Sequence, residues 1–163
     1  MELHYVFQLQ KEVLTKINPM KGNIYPCFWF DGKAKEAAEL YCSLFPNSKI
    51  TSDSGLTVFF ELNGQTFMGL NGGPMFKPTE AVSYTINCES QEEIDHYWNG
   101  LTANGGEEGQ CGWCKDPYGF SWQVIPADLG KWMSHPTNGQ KIMAAFMKMH
   151  KFDCQLLEDI YNS

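Results

Sequence analysis

Two cysteines three positions apart, Cys111 and Cys114, have the spacing that redox proteins use for reversible disulfide chemistry. That chemistry needs the first thiol at a helix N-terminus, where the helix dipole lowers the thiol pKa. Here the motif enters a predicted strand, and residues three apart in a strand point to opposite faces of the sheet. A disulfide would then distort the backbone. We therefore predict two structural thiols, and the other cysteine spacings give no second Cys-x-x-Cys motif for a zinc site.

Two segments in the second half of the chain, 81–88 and 120–125, alternate polar and apolar residues as half-buried strands do. If helices cover the apolar faces, the polar faces either meet solvent or line a cavity. A cavity of amides, hydroxyls and aromatic walls suits a small organic ligand. The predicted polar contacts are Gln123, Ser83, Thr85, Asn87 and Asn71, and the predicted aromatic contacts are Phe28, Phe67 and Trp113.

The elements that must position these residues repeat in two halves, 24–71 and 82–126. Each half reads as a strand, a helix and then two or three further strands, and Asn63-Gly64 predicts a two-residue type I′ turn. Trp29, Trp98 and Trp122 are assigned to faces packed against helices. The predicted strands are 24–30, 49–53, 56–62, 65–71, 81–88, 111–115 and 120–125, and the predicted helices run from Ala34 to Phe45 and from a Ser90 capping box to Asn104.

Helical spacing also predicts elements outside the two halves. An amphipathic helix over 3–17 belongs to an N-terminal extension, 1–23, and helices over 140–149 and 152–161 belong to a C-terminal extension, 127–163. Residues 24–126 form the central domain between them.

The composition of the 163 residues limits the function classes. A hydrophobic content of 43% is enough for one domain with its own core. A formal net charge of −7 opposes a nucleic-acid partner, because duplex binding relies on clustered Lys and Arg. The sequence contains no apolar run of about 18 residues and no signal-peptide pattern, so no membrane partner is expected. Free thiols in a domain of this size favour a reducing, cytoplasmic location.

Motifs spread over residues 24–161 resemble those of a known family and occur in the same order. They are Tyr25-Pro26-Cys27-Phe28-Trp29-Phe30-Asp31-Gly32, Leu44-Phe45-Pro46-Asn47-Ser48, Leu62-Asn63-Gly64-Gln65, Gln91-Glu92-Glu93-Ile94-Asp95, Cys111-Gly112-Trp113, Trp122-Gln123 and Lys151-Phe152-Asp153. On these motifs the chain resembles the PhnB-like branch of the vicinal-oxygen-chelate superfamily, which often carries a demethylubiquinone methyltransferase label. The superfamily includes glyoxalase I, extradiol dioxygenases and bleomycin-resistance proteins. The resemblance implies an α+β fold of paired βαβββ modules, curled around a cavity with the helices outside, and a homodimer.

The resemblance also implies a metal held by His, Glu or Gln side chains, and this sequence departs from that pattern. The place of the first-strand His is held by Pro26, and the place of the last-strand Glu by Gln123. The other two places fall near Gly69 and Ser83, neither of which is a credible ligand for a divalent ion. The four histidines are predicted to lie on the surface. We therefore expect no metal and no cofactor.

The leading hypothesis is a glyoxalase-like protein that binds a small organic molecule without a metal. One alternative is a metal-dependent lyase, isomerase or dioxygenase that recruits ligands from a partner subunit, and another is a structural or interaction module. Methyl transfer, as the family label suggests, is disfavoured. The chain has no glycine-rich strand-to-helix turn in a parallel sheet, because Asn71-Gly72-Gly73-Pro74 follows a hairpin strand and opens no helix.

Overall fold

The computed structural model describes residues 24–163, so the predicted helix over 3–17 and the rest of the 1–23 extension lie outside the described residues. The described chain is α+β, as predicted. It contains two four-stranded mixed sheets, which do not close into a barrel. Within the same residues, no helix combines the length and the apolar character needed to cross a membrane.

The first half builds one sheet with a helix packed on one face. Its elements are β1 (Cys27–Phe30), α1 (Ala34–Leu44), β2 (Lys49–Asp53), β3 (Thr57–Leu62) and β4 (Gln65–Asn71). The strand order is β1-β4-β3-β2, and β1 runs parallel to β4 while the other neighbours are antiparallel. Asn63 and Gly64 both have positive φ, 47° and 82°, as a type I′ turn requires, and this confirms the predicted hairpin.

The second half repeats the order with shorter middle strands. Its elements are β5 (Ser83–Cys88), α2 (Gln91–Thr102), β6 (Glu107–Glu108), β7 (Trp113–Lys115) and β8 (Ser121–Pro126). The strand order is β5-β8-β7-β6, with β5 parallel to β8. The predicted cap is present, since the Ser90 Oγ accepts from the Glu93 N–H at 3.3 Å. The Glu93 carboxylate accepts from the Glu89 N–H at 2.8 Å, one residue earlier than the N–H used in a standard capping box.

The C-terminal residues add three helices against the second half. They are α3 (Leu129–Met133), α4 (Gly139–Phe146) and α5 (Cys154–Tyr161). The sequence patterns did not predict α3, which has only five residues. The helix predicted over 140–149 was extended too far at its C-terminal end, and the helix predicted over 152–161 began too early. Trp132, Ile142, Phe152 and Leu157 are buried in the same core as the sheets.

That core is shared between the two halves. The ring of Phe28 on β1 stacks on Phe120 of the second half, with centroids 4.5 Å apart. Tyr41 on α1 donates from its hydroxyl to the Oδ2 of Asp116 at 2.7 Å. Trp122 donates to the same oxygen at 2.8 Å. The two modules are therefore joined through the faces that carry their helices.

The structure corrects the faces of β1. Phe28 and Phe30 are buried on the helix side, whereas Trp29, assigned by sequence to a helix-facing position, is half-buried on the other face. Period-2 alternation could not decide this, because all three residues are large and apolar. The deciding contact is at Gly69, the register partner of Phe28, where an added Cβ would meet the Cβ of Ala34 on α1 at 3.0 Å. Glycine lets the helix approach this face.

Candidate functional site

A groove of about 620 Å³ runs between the two halves, along β5. β5 is an edge strand of its sheet, so one side of its backbone is open to this groove. The opposite wall comes from the start of β1, the β3–β4 hairpin and the C-terminal end of α1, and one end is closed by α2. We call this feature the inter-module groove. Of the eight predicted ligand contacts, it contains Ser83, Thr85, Asn87 and Phe67.

A hydrogen bond between two predicted contacts lies at the margin of the groove. The Nε2 of Gln123 donates to the Oγ of Ser83 at 2.8 Å. Because the Ser83 oxygen accepts this bond, its own O–H is left to donate to a bound molecule. Gln123 does not line the groove, so its role there is to orient Ser83.

Aromatic rings form the apolar wall. Phe67 is 6% exposed and stacks on Phe60 with centroids 5.5 Å apart. The ring centroids of Tyr84 and Trp122 lie 5.3 Å apart, and both residues line the groove. Burial raises the pKa of Tyr84 to about 12, so its hydroxyl is neutral at physiological pH. The wall is therefore apolar and uncharged.

The end of the groove at α2 carries two carboxylates and a tyrosine, Glu89, Glu93 and Tyr97. Burial, and next the charge of Glu93, raise the pKa of Tyr97. Tyr97 also packs on Phe45 with ring centroids 5.0 Å apart. Sequence reasoning used Glu93 only as a capping residue. The sequence held no signal for its place in the groove lining, because the groove exists only where the two halves meet.

Two predicted contacts have structural roles instead. Phe28 has no exposed surface, so it is not available as a cavity wall. The Oδ1 of Asn71 accepts from the Ala34 N–H at 2.9 Å, and its Nδ2 donates to the Gly55 carbonyl at 2.7 Å. Both ends of this amide are therefore bonded to backbone, and Asn71 caps α1 from the end of β4.

Trp113 lies apart from the inter-module groove. It is half-buried on β7, and its register partner is Gln123.

The two cysteines near Trp113, Cys111 and Cys114, are both free. Cys114 is buried, which raises its thiol pKa to about 12, and the Sγ of Cys111 donates to the Sδ of Met147 at 3.6 Å.

The four positions that the resemblance assigns to the superfamily's metal ligands do not fit a divalent cation. Pro26 has no donor atom in its side chain, and Gly69 packs against Ala34. The remaining two, Ser83 and Gln123, offer a neutral hydroxyl and a neutral amide that bond to each other. Nowhere in residues 24–163 do three or more His, Cys, Asp or Glu side chains form a group that could hold a metal ion.

The two glycines after β4 make contacts with Trp29. The ring of Trp29 lies directly over Gly72, where any Cβ would collide with it. The Nε1 of Trp29 donates to the Gly73 carbonyl at 2.7 Å. As the sequence indicated, this segment does not open a helix.

Paired βαβββ modules with one helix on each sheet define a protein of the vicinal-oxygen-chelate type. A family model described as 3-demethylubiquinone-9 3-methyltransferase matches residues 22–125. The chain belongs to this PhnB-like family.

Solved structures agree with this assignment. A PhnB protein from Bacillus cereus is 33% identical, with a TM-score of 0.59, over 65% of this chain and 100% of its own. Protein PA1353 from Pseudomonas aeruginosa is 18% identical, with a TM-score of 0.53, over 65% of this chain and 98% of its own. Protein SA1046 from S. aureus is 17% identical, with a TM-score of 0.51, over 66% and 94%. The last two show the fold alone. No curated protein matches the chain.

Proposed function

We propose that this protein binds a small organic molecule in the inter-module groove, without a metal ion or a cofactor. The observation that carries the proposal is the groove itself, which runs along the edge strand β5. It is lined by Ser83, Thr85 and Asn87 on one face of the sheet and by Tyr84 and Trp122 on the other. Its volume of about 620 Å³ falls within the range of about 300–1,000 Å³ that is typical of ligand sites. An apolar wall with a few directed polar groups gives affinity from one side and orientation from the other.

The polar side selects the ligand's functional groups. The O–H of Ser83, fixed by Gln123, donates to a carbonyl or another acceptor. Asn87 is exposed and can both donate and accept. The ring of the ligand packs on Tyr84, the half-buried aromatic residue of β5 in the lining.

We extend the proposal to a homodimer in a cytoplasmic setting. The face of the first sheet opposite α1 carries apolar side chains that are only half-buried, among them Trp29, Phe59, Met68 and Leu70. A second copy that covers this face would remove that apolar surface from water. Light scattering coupled to size exclusion tests this directly, and a monomer at all concentrations would contradict it. The free cysteines suit a reducing compartment.

The binding proposal is tested with the side-chain amide of Gln123. We expect small aromatic fragments to shift its NMR signal, because a ligand that bonds to Ser83 changes the Ser83–Gln123 bond. Ser83→Ala is expected to weaken binding by about fivefold, the equivalent of one hydrogen bond of roughly 1 kcal/mol. The matched control is Ser52→Ala, at an exposed position of β2. Equal affinities for the two variants would contradict the proposed site.

Two further measurements separate the alternatives. Stoichiometric zinc, iron, manganese or nickel in protein purified without chelator would support a metal-dependent enzyme. Saturable binding of S-adenosylmethionine would support the methyl transfer named in the family description. We expect neither.

A further inference from the structure

The inter-module groove has a one-sided charge. Its lining includes two carboxylates, Glu89 and Glu93, and no lysine or histidine. Neither carboxylate forms an ion pair with any residue in 24–163. The nearby His96 is not part of the lining, and its ring bonds to the Leu44 carbonyl at 2.8 Å. No cationic side chain of the described residues therefore pairs with either carboxylate, and the nearest partial positive charge is the N-terminus of α2.

The two carboxylates lie beside aromatic surface. Only one oxygen of Glu93 is used, by the Glu89 N–H, which leaves the other for a ligand. Tyr97 and Phe45 pack together next to it. A carboxylate beside an aromatic face is the arrangement that holds an organic ammonium group, through an ion pair on one side and a cation–π contact on the other.

Resting on the proposed function, we infer that the ligand is a cationic organic molecule, an ammonium group joined to an apolar ring. The ammonium group lies between Glu89, Glu93 and Tyr97, and the ring packs on Tyr84. The same two charges disfavour anionic compounds, including phosphates, phosphonates and carboxylates. The net charge of −7 on the whole chain acts in the same direction.

The inference is tested with three probes that share one ring and differ in charge. They are 1-naphthylmethylamine, a cation at neutral pH, the neutral 1-naphthylmethanol and the anionic 1-naphthoate. Calorimetric titration is expected to show the amine binding about tenfold more tightly than the alcohol, and the naphthoate binding most weakly. Raising the salt concentration from about 50 mM to about 500 mM should weaken the binding of the amine, because salt screens charges. The affinity of the alcohol should stay unchanged.

Two variants test whether the preference for the amine comes from the Glu93 carboxylate. Glu93→Gln removes the charge but keeps an amide oxygen that can accept from the Glu89 N–H, so α2 stays capped. We expect it to bring the amine close to the affinity of the alcohol. Glu92→Gln is the matched control, since its exposed side chain lies one position earlier and does not line the groove. It should leave all three affinities unchanged.

The outcomes distinguish this inference from the function beneath it. If none of the three probes binds, the proposed function is wrong. If the alcohol or the naphthoate binds at least as tightly as the amine, and binding still depends on Ser83, the groove is a ligand site and the cationic class is wrong. An amine preference that survives Glu89→Gln combined with Glu93→Gln also overturns the inference.

Discussion

The two halves of the molecule share an order of elements but are supported in different ways. In the first half, β2 and β3 are five and six residues long and complete the sheet themselves. In the second half, the corresponding β6 and β7 have two and three residues. The N–H groups of Cys111 and Gly112 bond instead to the carbonyls of Met149 and His150, each at 2.8 Å. The C-terminal residues thus complete the second half of the molecule.

The helices of the two halves, α1 and α2, also differ in how their N-terminal ends are capped. The first N–H of α1 is bonded by Asn71, which is 37 positions away at the end of β4. α2 is capped by Ser90, directly before it. The first helix therefore depends on its sheet being formed, whereas the second carries its start signal in its own sequence.

The largest effect is expected at the junction of the halves. Asp116 is 2% exposed and accepts four hydrogen bonds, from the side chains of Tyr41 and Trp122 and from the N–H groups of Tyr118 and Phe120. Asp116→Ala leaves the buried Tyr41 and Trp122 donors without a partner. We expect the free energy of unfolding to fall by about 3–5 kcal/mol in urea titration.

Tyr41→Phe is the graded comparison for this prediction. It removes one of the four bonds and keeps the ring, so a loss of about 1–2 kcal/mol is expected. If Asp116→Ala cost no more than Tyr41→Phe, the halves would not depend on this carboxylate.

A smaller loss is expected where the C-terminal residues meet the second sheet. Gly112 has a φ of 79°, and an added Cβ would lie 2.5 Å from the Phe152 ring and 2.7 Å from the Val124 carbonyl oxygen. Gly112→Ala should therefore cost about 2–4 kcal/mol, through the left-handed backbone and the collision together. Thermal unfolding with a calorimetric enthalpy measures it.

Gly119→Ala separates the two causes. Its φ is 87°, but the nearest atom, on Pro78, lies 4.0 Å from an added Cβ. Only the left-handed backbone conformation then destabilises Gly119→Ala, and we expect a loss of about 1–2 kcal/mol in the free energy of unfolding. Equal losses at the two glycines would mean that both the Phe152 ring and the Val124 carbonyl give way at no cost, so that the contact with the C-terminal residues is loose.

The same contrast explains what the sequence could predict. The Asn63-Gly64 turn and the Ser90 cap are local signals, each fixed by residues within a few positions, and both are present. The predicted orientation of Trp29 on β1 was wrong, because the face that packs on α1 is decided by Gly69, about 40 positions further along the chain. The carboxylate end of the groove was missed for a related reason, since Glu93 and Phe67 line one groove only after the two halves pack together. Local chemistry is readable from one segment, whereas sites between modules are not.

The smallest effect is expected at an ion pair between the C-terminal residues and α2. The Nζ of Lys151 lies 2.6 Å from the Oδ1 of Asp95, and this bond, with a second from Gln91, lowers the pKa of Asp95. The side chains are 35% and 44% exposed, so solvent screens the pair and Lys151→Ala should cost only about 0.5–1 kcal/mol at neutral pH.

The pH dependence gives this prediction its test. A lowered pKa in the folded state means that the stabilisation is present above the ordinary pKa of an aspartate and is lost as the pH falls through the lowered value. The difference between wild type and Lys151→Ala should therefore close in strongly acidic solution. Lys49→Ala, whose partner Glu61 lies 3.4 Å away in the first half, is the control and should change the stability by less than about 0.5 kcal/mol. If the two variants behaved alike at every pH, this pair would not help to hold the C-terminal residues on α2, and the support of the second half would rest on its backbone bonds and buried side chains alone.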